Sequence, residues 1–163
     1  YFGMDFGFAK DPTTAVEVWI YGDRLHIRRE AYKFGLELDA TAQFMLDRIP
    51  LIDRYAVRAD SARPESISYL SRHGLPRIEG VKKWPGSVED GIQFLRSFAE
   101  IVIHPDCPKT IDEATLYSYK VDKDTGDVLP TIVDAFNHCI DAVRYAITPL
   151  IKGRNAGKMV IRI

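Results

Sequence analysis

The sequence lacks several features that would assign it to a common class of protein. Its 163 residues contain no apolar run approaching the roughly 18 residues that a membrane-spanning helix needs. No basic stretch followed by an apolar block and a small-residue cleavage site opens the chain, so no secretory signal is recognised. The pattern GxxxxGK[ST] is missing, which excludes ATP hydrolysis at a P-loop within this sequence.

Cysteine and net charge are also scarce. The two cysteines, Cys107 and Cys139, lie far apart and outside any CxxC pattern. They are expected to be reduced core thiols of a cytosolic protein rather than a disulfide framework or a zinc site. The formal net charge is −1, so the whole molecule does not attract nucleic acid strongly. With 46% hydrophobic residues, the chain is apolar enough to exclude intrinsic disorder and to form one domain with a core.

The first 32 residues predict three antiparallel strands. The opening YFGMDFGF is typical of a buried strand and begins at residue 1, so we expect the chain to be part of a larger protein. Residues 14–32 alternate apolar and polar side chains on both sides of Gly22-Asp23. That alternation is typical of a β-hairpin with a tight turn.

Helices and strands alternate in the rest of the chain, which indicates a mixed α/β sheet with helices packed on it. Asp39 or Thr41 is the expected N-cap of the first helix, and Ser87 that of the third. Residues 117–130 predict a hairpin or loop with its turn at 124–126. The predicted strands are 55–60, 77–79 and 101–104, and the predicted helices are 39–49, 61–76, 87–98, 109–116 and 134–148.

Three carboxylates occupy positions that a catalytic site would use. Asp5 lies inside the apolar first strand, Asp60 ends the strand 55–60, and Asp141 lies midway in the last helix. A carboxylate in an apolar strand is costly unless it is paired, protonated or bound to metal. Each has a structural alternative: Asp5 could accept hydrogen bonds from a loop, Asp60 could begin the next helix, and Asp141 could be an ordinary helix-surface residue.

The last helix has two stripes of side chains at helical spacing. We expect the apolar stripe to face the sheet: Phe136, Ile140, Val143 and Ile147. The second stripe carries the polar groups: Asp134, His138, Asp141 and Tyr145. Asp141 therefore lies at the margin of the buried face, while Asp134 could be only an N-cap and His138 only a hydrogen-bonded histidine.

Several acids in one place would suit divalent metal ions. Mg²⁺ and Mn²⁺ prefer oxygen ligands, and two such ions about 4 Å apart need carboxylates to offset their charge. Such a pair can activate a water for attack on phosphorus without a cysteine or serine nucleophile. Histidine and cysteine do not cluster here with zinc-like spacing.

Three motifs of the sequence resemble a known family. GMDFGFAKDPT, RADSARPESI and DAFNHCIDAVRYA, in this order and with fitting spacing, resemble the nuclease domain of the large terminase subunit of tailed double-stranded DNA phages. The resemblance implies an RNase H-like fold of the resolvase and integrase type, with three antiparallel strands followed by parallel strands and helices on both faces. It also implies two-metal cleavage of concatemeric viral DNA, which generates genome ends during packaging.

The resemblance also assigns roles to residues. The metal-binding, catalytic carboxylates would be Asp5, Asp60 and Asp141, with two Mg²⁺ or Mn²⁺ ions as cofactors. Asp11 matches the family pattern and is expected to support the site, as are Asp134 and His138.

The loop VKKWPGSVEDGIQFL resembles the family's lysine- and glycine-containing loop before a helix. It makes Lys82 or Lys83, Gly86 and Ser87 candidates for contacts with the DNA backbone. The alternative is that both lysines are solvated surface charges and that Ser87 is only a helix cap.

The expected organisation is a nuclease domain over residues 1–151 and a basic tail over 152–163. Large terminases pair this domain with an ATPase motor that this sequence does not supply, so we expect weak DNA binding by the domain alone. Expected partners are double-stranded DNA, the ATPase domain, the small terminase subunit and the portal protein. The expected location is the host cell cytoplasm, without membrane association.

Two other functions stay open from the sequence. The domain could be a DNA- and portal-docking module that is catalytically silent on its own, as the low net charge and missing motor would suit. It could also be a related RNase H-like resolvase or transposase, because those enzymes share the acidic constellation.

Overall fold

The structure is a computed structural model that describes residues 1–117, 119–121, 123, 125–126, 128–132 and 137–156. Within this part of the chain, six strands form one mixed sheet: β1 (Phe2–Asp5), β2 (Thr13–Tyr21), β3 (Arg24–Lys33), β4 (Val57–Ala59), β5 (Ile78–Gly80) and β6 (Glu100–Ile103). The helices described are α1 (Leu38–Arg48), α2 (Pro64–Arg72), α3 (Ser87–Arg96), α4 (Pro108–Leu116) and α5 (His138–Ala156).

The order of the strands in the sheet is β5-β4-β1-β2-β3-β6. Strands β1, β2 and β3 are antiparallel neighbours, which confirms the meander predicted for the first 32 residues. Gly22 has φ 61° in the turn between β2 and β3, a left-handed conformation that glycine adopts without strain. The pairs β1–β4, β4–β5 and β3–β6 are parallel, so the predicted mixed sheet is confirmed.

Helices cover both faces of the sheet, because the side chains of each strand alternate between two cores. On one face, Phe2 and Met4 of β1 pack with α1 and α2 through residues such as Met45 and Leu70. The opposite core joins β2 and β3 to α3 and α5. Asp5 and Gly3 alternate with Phe2 and Met4, so they point to the face that α5 covers.

The backbone of α5 lies unusually close to β1. A Cβ atom built on Gly3 would stand 1.8 Å from the carbonyl oxygen of Ala142 and 2.7 Å from the backbone nitrogen of Ala146. Only glycine at position 3 leaves room for this approach, and alanines at 142 and 146 keep the facing side of the helix narrow. The contact therefore sets where the first turns of α5 stand relative to the end of β1.

Two predicted helix caps are wrong. Helix α1 begins at Leu38 with Glu37 in the N-cap position, so Asp39 lies in the first turn and Thr41 donates to the Glu37 carbonyl. Helix α3 begins at Ser87 itself, and the N-cap position belongs to Gly86 in a left-handed conformation. In neither case does a side chain cap the helix, because the backbone of the preceding loop already sets its first turn.

The last helix differs from its prediction at both ends. It is described from His138 to Ala156, so it continues past Pro149 into the segment expected to be a separate tail, and the boundary at residue 152 stays a prediction. Asp141 therefore lies in the first turn rather than midway. The face against β1 is formed by Ala142 and Ala146, and the predicted N-cap Asp134 lies outside the described residues.

Two further strands form a separate antiparallel pair, β7 (Tyr119–Val121) with β8 (Val128–Ile132). This confirms the hairpin expected over residues 117–130, although Asp124 of its predicted turn is outside the described residues. Among the helices of the described part, none combines the length and the apolar character needed to cross a bilayer.

The close contact at Gly3 can be tested by substitution. We expect Gly3→Ala to lower the free energy of unfolding by about 3 kcal/mol or more, because the new methyl group overlaps backbone atoms that cannot rotate away. Urea denaturation measures the change. Gly22→Asn is the control and should cost no more than about 1 kcal/mol, since its Cβ meets open space and asparagine tolerates the left-handed turn. Equal losses in the two variants would contradict the packing described.

Candidate active site

Asp5 and Asp60 stand side by side at the ends of adjacent parallel strands. Asp5 is the last residue of β1, and Asp60 follows the last residue of β4. The backbone nitrogen of Asp60 donates to the Met4 carbonyl oxygen at 3.1 Å, which extends the strand pairing to the two aspartates. The carboxyl ends of parallel strands are where open α/β sheets place their sites.

Asp141 comes to the same edge of the sheet from α5. Because Asp5 and Gly3 point to the face that α5 covers, the first turn of the helix lies over the end of β1. Burial raises the pKa of Asp141, the Arg144 guanidinium opposes that rise, and the charge of Asp5 adds to it. The charges of Asp5 and Asp60 are coupled in the same way. Because His138 of α5 contacts Asp5 and Gly3 lies against Ala142, the first turn of the helix carries Asp141 toward the strand ends of Asp5 and Asp60.

His138 links Asp5 to Asp11. Its Nδ1 atom lies 3.2 Å from Oδ2 of Asp5, and its Nε2 atom lies 3.5 Å from Oδ1 of Asp11. The hydrogen bond with Asp5 raises the pKa of His138, which favours the protonated ring, while burial opposes that rise. His138 and Asp11 thus lie beside Asp5, with the Asp11 side chain 65% exposed, and their supporting role stays a prediction.

The other two acids each have a cationic partner. Lys83 Nζ lies 2.6 Å from Oδ1 of Asp60, and Arg144 Nη2 lies 2.6 Å from Oδ1 of Asp141. The Lys83 side chain is 46% exposed, whereas that of Arg144 is 6% exposed. Both cations flank the ring of Tyr145, with Nζ 5.6 Å and Cζ 5.5 Å from its centre. The lysine can therefore leave its acid without repacking the core, and the arginine cannot.

Asp5 is a carboxylate whose burial makes ionisation costly. It is 8% exposed, and burial raises its pKa, while the hydrogen bond with His138 opposes the rise. A carboxylate that is withdrawn from water beside two like charges needs positive charge to stay ionised. The donor set, three carboxylates without a cysteine, fits a hard cation such as Mg²⁺ or Mn²⁺.

The described residues do not hold a preformed metal cluster. In this part of the chain, no three His, Cys, Asp or Glu side chains are grouped closely enough to share one ion. The acids are instead paired with Lys83, Arg144 and His138. An incoming divalent ion would therefore compete with these partners.

The remaining candidates from the sequence lie near the loop before α3 or outside the described residues. Lys82, Lys83 and Ser87 line a small cavity of about 10 Å³ together with Arg144 and Tyr145. Gly86 and Lys82, in the loop before α3, are exposed to solvent. Asp134 lies outside the described residues, so its expected supporting role stays a prediction.

The sequence analysis gave no site role to Arg144, and it placed Tyr145 on the polar stripe of the last helix without a role. Arg144 is almost fully buried against Asp141, and both Arg144 and Lys83 lie near the Tyr145 ring. The spacing of Asp141 and Arg144 is i, i+3, which places oppositely charged side chains next to each other on a helix. That spacing was the available signal.

Known proteins are similar to this chain in sequence and in fold. The family described as "Terminase RNAseH like domain" matches residues 5–148. The large terminase subunit of Bacillus phage SPP1 is 39% identical over 149 residues, which are 88% of this chain and 34% of the relative. The PBSX phage terminase large subunit of Bacillus subtilis (strain 168) is 29% identical over 147 residues, covering 89% of this chain and 33% of the relative. The chain thus spans about a third of the length of these relatives.

Solved structures agree with the sequence relatives. The nuclease domain of the SPP1 large terminase g2p, solved with bound Mn, superposes with a TM-score of 0.83 at 36% identity, over 91% of this chain and 84% of that one. The nuclease domain of the P22 large terminase has a TM-score of 0.70 at 17% identity, over 94% of this chain and 80% of that one, and shows the shared fold.

The mixed sheet, with acids at the ends of β1 and β4 and on α5, defines an RNase H-like domain of the terminase nuclease type. The chain belongs to the terminase RNase H-like domain family. This confirms the family and the fold class that the three sequence motifs indicated.

The burial of Asp5 and the pairing of Asp141 with Arg144 predict opposite effects of two similar substitutions. We expect Asp5→Asn to raise the melting temperature in EDTA at neutral pH, because the buried carboxylate with a raised pKa costs stability once it is ionised. The difference in melting temperature between Asp5→Asn and wild type should shrink as the pH falls. It should vanish below the unfolded-state pKa of about 3.9, where the Asp5 carboxyl group is neutral like the amide that replaces it. Asp141→Asn should instead lower the stability by about 3 kcal/mol, because the buried guanidinium of Arg144 loses its charged partner, and this loss exceeds the burial cost of the Asp141 carboxylate.

Thermal unfolding of the two variants from about pH 3.5 to 8 measures both effects. The control is Asp47→Asn, which replaces an exposed aspartate on α1 and should change neither the melting temperature nor its dependence on pH. A destabilised Asp5→Asn protein at neutral pH would contradict the cost assigned to this carboxylate.

Proposed function

We propose that this domain is a divalent-metal-dependent DNA endonuclease that cuts concatemeric viral double-stranded DNA to generate genome ends during packaging. The arrangement that supports the proposal is the approach of Asp5, Asp60 and Asp141 to one edge of the sheet, from three separate elements. Membership of the terminase RNase H-like family supports it, as does the bound Mn of the SPP1 nuclease domain.

The proposed metal ligands are the carboxylate oxygens of Asp5, Asp60 and Asp141. When bound, two Mg²⁺ or Mn²⁺ ions would activate a water for attack on phosphorus and stabilise the departing oxygen. The chain supplies the orientation: β1 and β4 hold two of the acids in register, and α5 holds the third. His138 orients the Asp5 carboxylate through the contact at Nδ1 and opposes the rise in its pKa that burial causes.

Lys83 and Arg144 have different proposed roles because they differ in burial. Arg144 makes two hydrogen bonds to Oδ1 of Asp141, at 2.6 and 3.1 Å, and so orients that carboxylate. Lys83 lies on the exposed loop before α3, so it can exchange Asp60 for a phosphate of the DNA backbone. Lys82, Gly86 and Ser87 on the same loop are the further proposed DNA contacts.

The proposed setting follows from the relatives, which are about three times as long as this chain. We place the domain in a large terminase with an ATPase domain, acting with the small terminase subunit and the portal protein in the host cell cytoplasm. The net charge of −1 fits a domain that holds DNA weakly without those partners.

Plasmid nicking tests the proposed activity. In Mn²⁺, the wild-type domain should nick supercoiled plasmid, and Asp5→Asn, Asp60→Asn and Asp141→Asn should each lower the rate at least about 100-fold, because the amide cannot replace a negatively charged metal ligand. Asp47→Asn, which removes an exposed charge on α1, is the matched control and should cut like wild type.

Full activity in all three site variants would end the proposal. A wild-type domain that binds DNA or portal but cuts nothing at any metal concentration would favour the silent docking module instead. Preference for a four-way junction over linear duplex would favour a resolvase.

The cleavage rate should depend on pH in one direction. We expect it to fall below about pH 5–6, because protons compete with metal for carboxylates whose ordinary pKa is near 4. Burial raises the pKa of Asp5 and of Asp141, so their protonation begins at a higher pH than in an exposed aspartate. Rates measured across the acidic range at fixed Mn²⁺ test this. Undiminished cleavage at about pH 4.5 would contradict it.

A further inference from the structure

The start of α5 is held by a carboxylate from another helix. Oε2 of Glu113, on α4, accepts hydrogen bonds from the backbone nitrogens of Cys139 at 2.6 Å and Ile140 at 3.2 Å. The first N–H groups of a helix have no partner within the helix, so they need an acceptor from elsewhere. We propose that Glu113 is a positioning residue of the active site, a role that rests on the proposed nuclease function.

The two anchored amides lie between two residues of the site. His138, which contacts Asp5, comes directly before Cys139, and Asp141 comes directly after Ile140. A shift of this half-turn would therefore move both site residues together. Glu113 is 4% exposed, so its hydrogen bonds to the helix are shielded from water.

The helix that carries Glu113 is itself fastened to the sheet. Glu30 of β3 accepts hydrogen bonds from the backbone nitrogens of Lys109 at 2.9 Å and Thr110 at 2.7 Å, at the start of α4. The Thr110 hydroxyl also donates to Glu30, at 2.7 Å. Two successive carboxylate caps thus connect β3 to α4 and α4 to α5.

A second contact holds the same turn from the sheet. The hydroxyl of Thr14 on β2 donates to the carbonyl oxygen of His138 at 3.2 Å, and Thr14 is directly opposite Asp5 in the strand pairing. The turn of α5 that begins at His138 is therefore held from β2 on one side and from α4 on the other.

The arrangement of Glu113 is a poor one for stability alone. Its Oε1 atom is buried without a hydrogen-bond partner among the described residues, and burial raises the pKa of this carboxyl group. The burial of a carboxyl group with one oxygen left without a hydrogen-bond partner offsets much of what the capping bonds contribute. The hydrogen bonds of Glu113 fix the positions of the two amides, and with them the positions of the neighbouring site residues. Such fixing matters because a displacement of about 1 Å at a catalytic site can lower the rate about 100-fold.

Substitution of Glu113 separates positioning from general stability. Glu113→Ala removes the acceptor, whereas Glu113→Gln keeps a carbonyl oxygen that can accept the same two bonds. Glu113→Asp retracts the acceptor by about 1.5 Å and serves if the alanine variant does not fold. The control is Glu17→Ala, which removes another buried carboxylate, one that holds Arg29 and Trp19 rather than α5.

Four readouts are compared on these variants. Amide hydrogen exchange at Cys139 and Ile140, relative to Val143 and Ala146 of the same helix, reports the anchoring. The ¹⁵N resonances of the His138 ring report its contact with Asp5. Calorimetric titration with Mn²⁺ reports the site, and plasmid nicking then separates kcat from KM.

We expect Glu113→Ala or Glu113→Asp to speed exchange at Cys139 and Ile140 about tenfold, to shift the His138 resonances and to weaken Mn²⁺ binding about tenfold. The kcat should fall while KM for plasmid stays unchanged, since no DNA contact is lost. Glu113→Gln should restore most of each value, and Glu17→Ala should leave all of them near wild type.

The proposal is overturned if Glu113→Ala and Glu113→Asp match the Glu17→Ala control in exchange and in the His138 resonances, or if Glu113→Gln loses as much as Glu113→Ala. Both of these readouts need neither metal nor DNA. A wild-type domain that binds no Mn²⁺ or cuts no DNA would therefore defeat the proposed function, while the anchoring of α5 would still be decided separately.

Discussion

The candidate site depends on how closely the backbone of α5 lies against β1. Glycine at position 3 and alanines at 142 and 146 allow a helix to approach a strand without intervening side chains. Asp141 is thereby brought over the strand end that carries Asp5, although the two residues are far apart in the sequence. Any larger side chain between helix and strand would lift Asp141 away from the other acids, so the smallest residues of the contact are as necessary to the site as the acids themselves.

Close packing withdraws the acids from water, which makes their ionised forms less favourable, and neighbouring groups partly compensate for this cost. Burial raises the pKa of Asp5 and of Asp141, and nearby cations or a histidine oppose the rise. Arg144 is locked in the core, whereas Lys83 lies on an exposed loop. A site of this kind combines a permanently oriented acid with one whose partner can be exchanged. This combination would suit the proposed function, in which the site accepts divalent ions and a phosphate backbone in turn.

Local sequence patterns predicted most of the fold but not the exact ends of its elements. The hairpin at Gly22 and the strand before Asp60 follow from alternation and from turn residues that act over a few neighbours. Ser87 was a wrong choice of cap, because Gly86 takes that position with a left-handed backbone that the loop imposes. Arg144 lies three residues after Asp141, a spacing that is common in helices and does not by itself mark a site residue. Glu113 lies on a different helix from its partner Cys139, so only the packing of α4 against α5 shows their contact.

The order and type of the elements, the family and the candidate acids could all be predicted from the sequence, the family through its three motifs. Those properties depend on local spacing and on residue chemistry, which are present in the linear chain. The folded structure was needed to show which cation faces each acid, that α5 touches β1 at Gly3, and that Glu113 holds the start of this helix. Such contacts join residues that are distant along the chain, and their energies depend on burial and on distance, which exist only once the sheet and its helices have packed together.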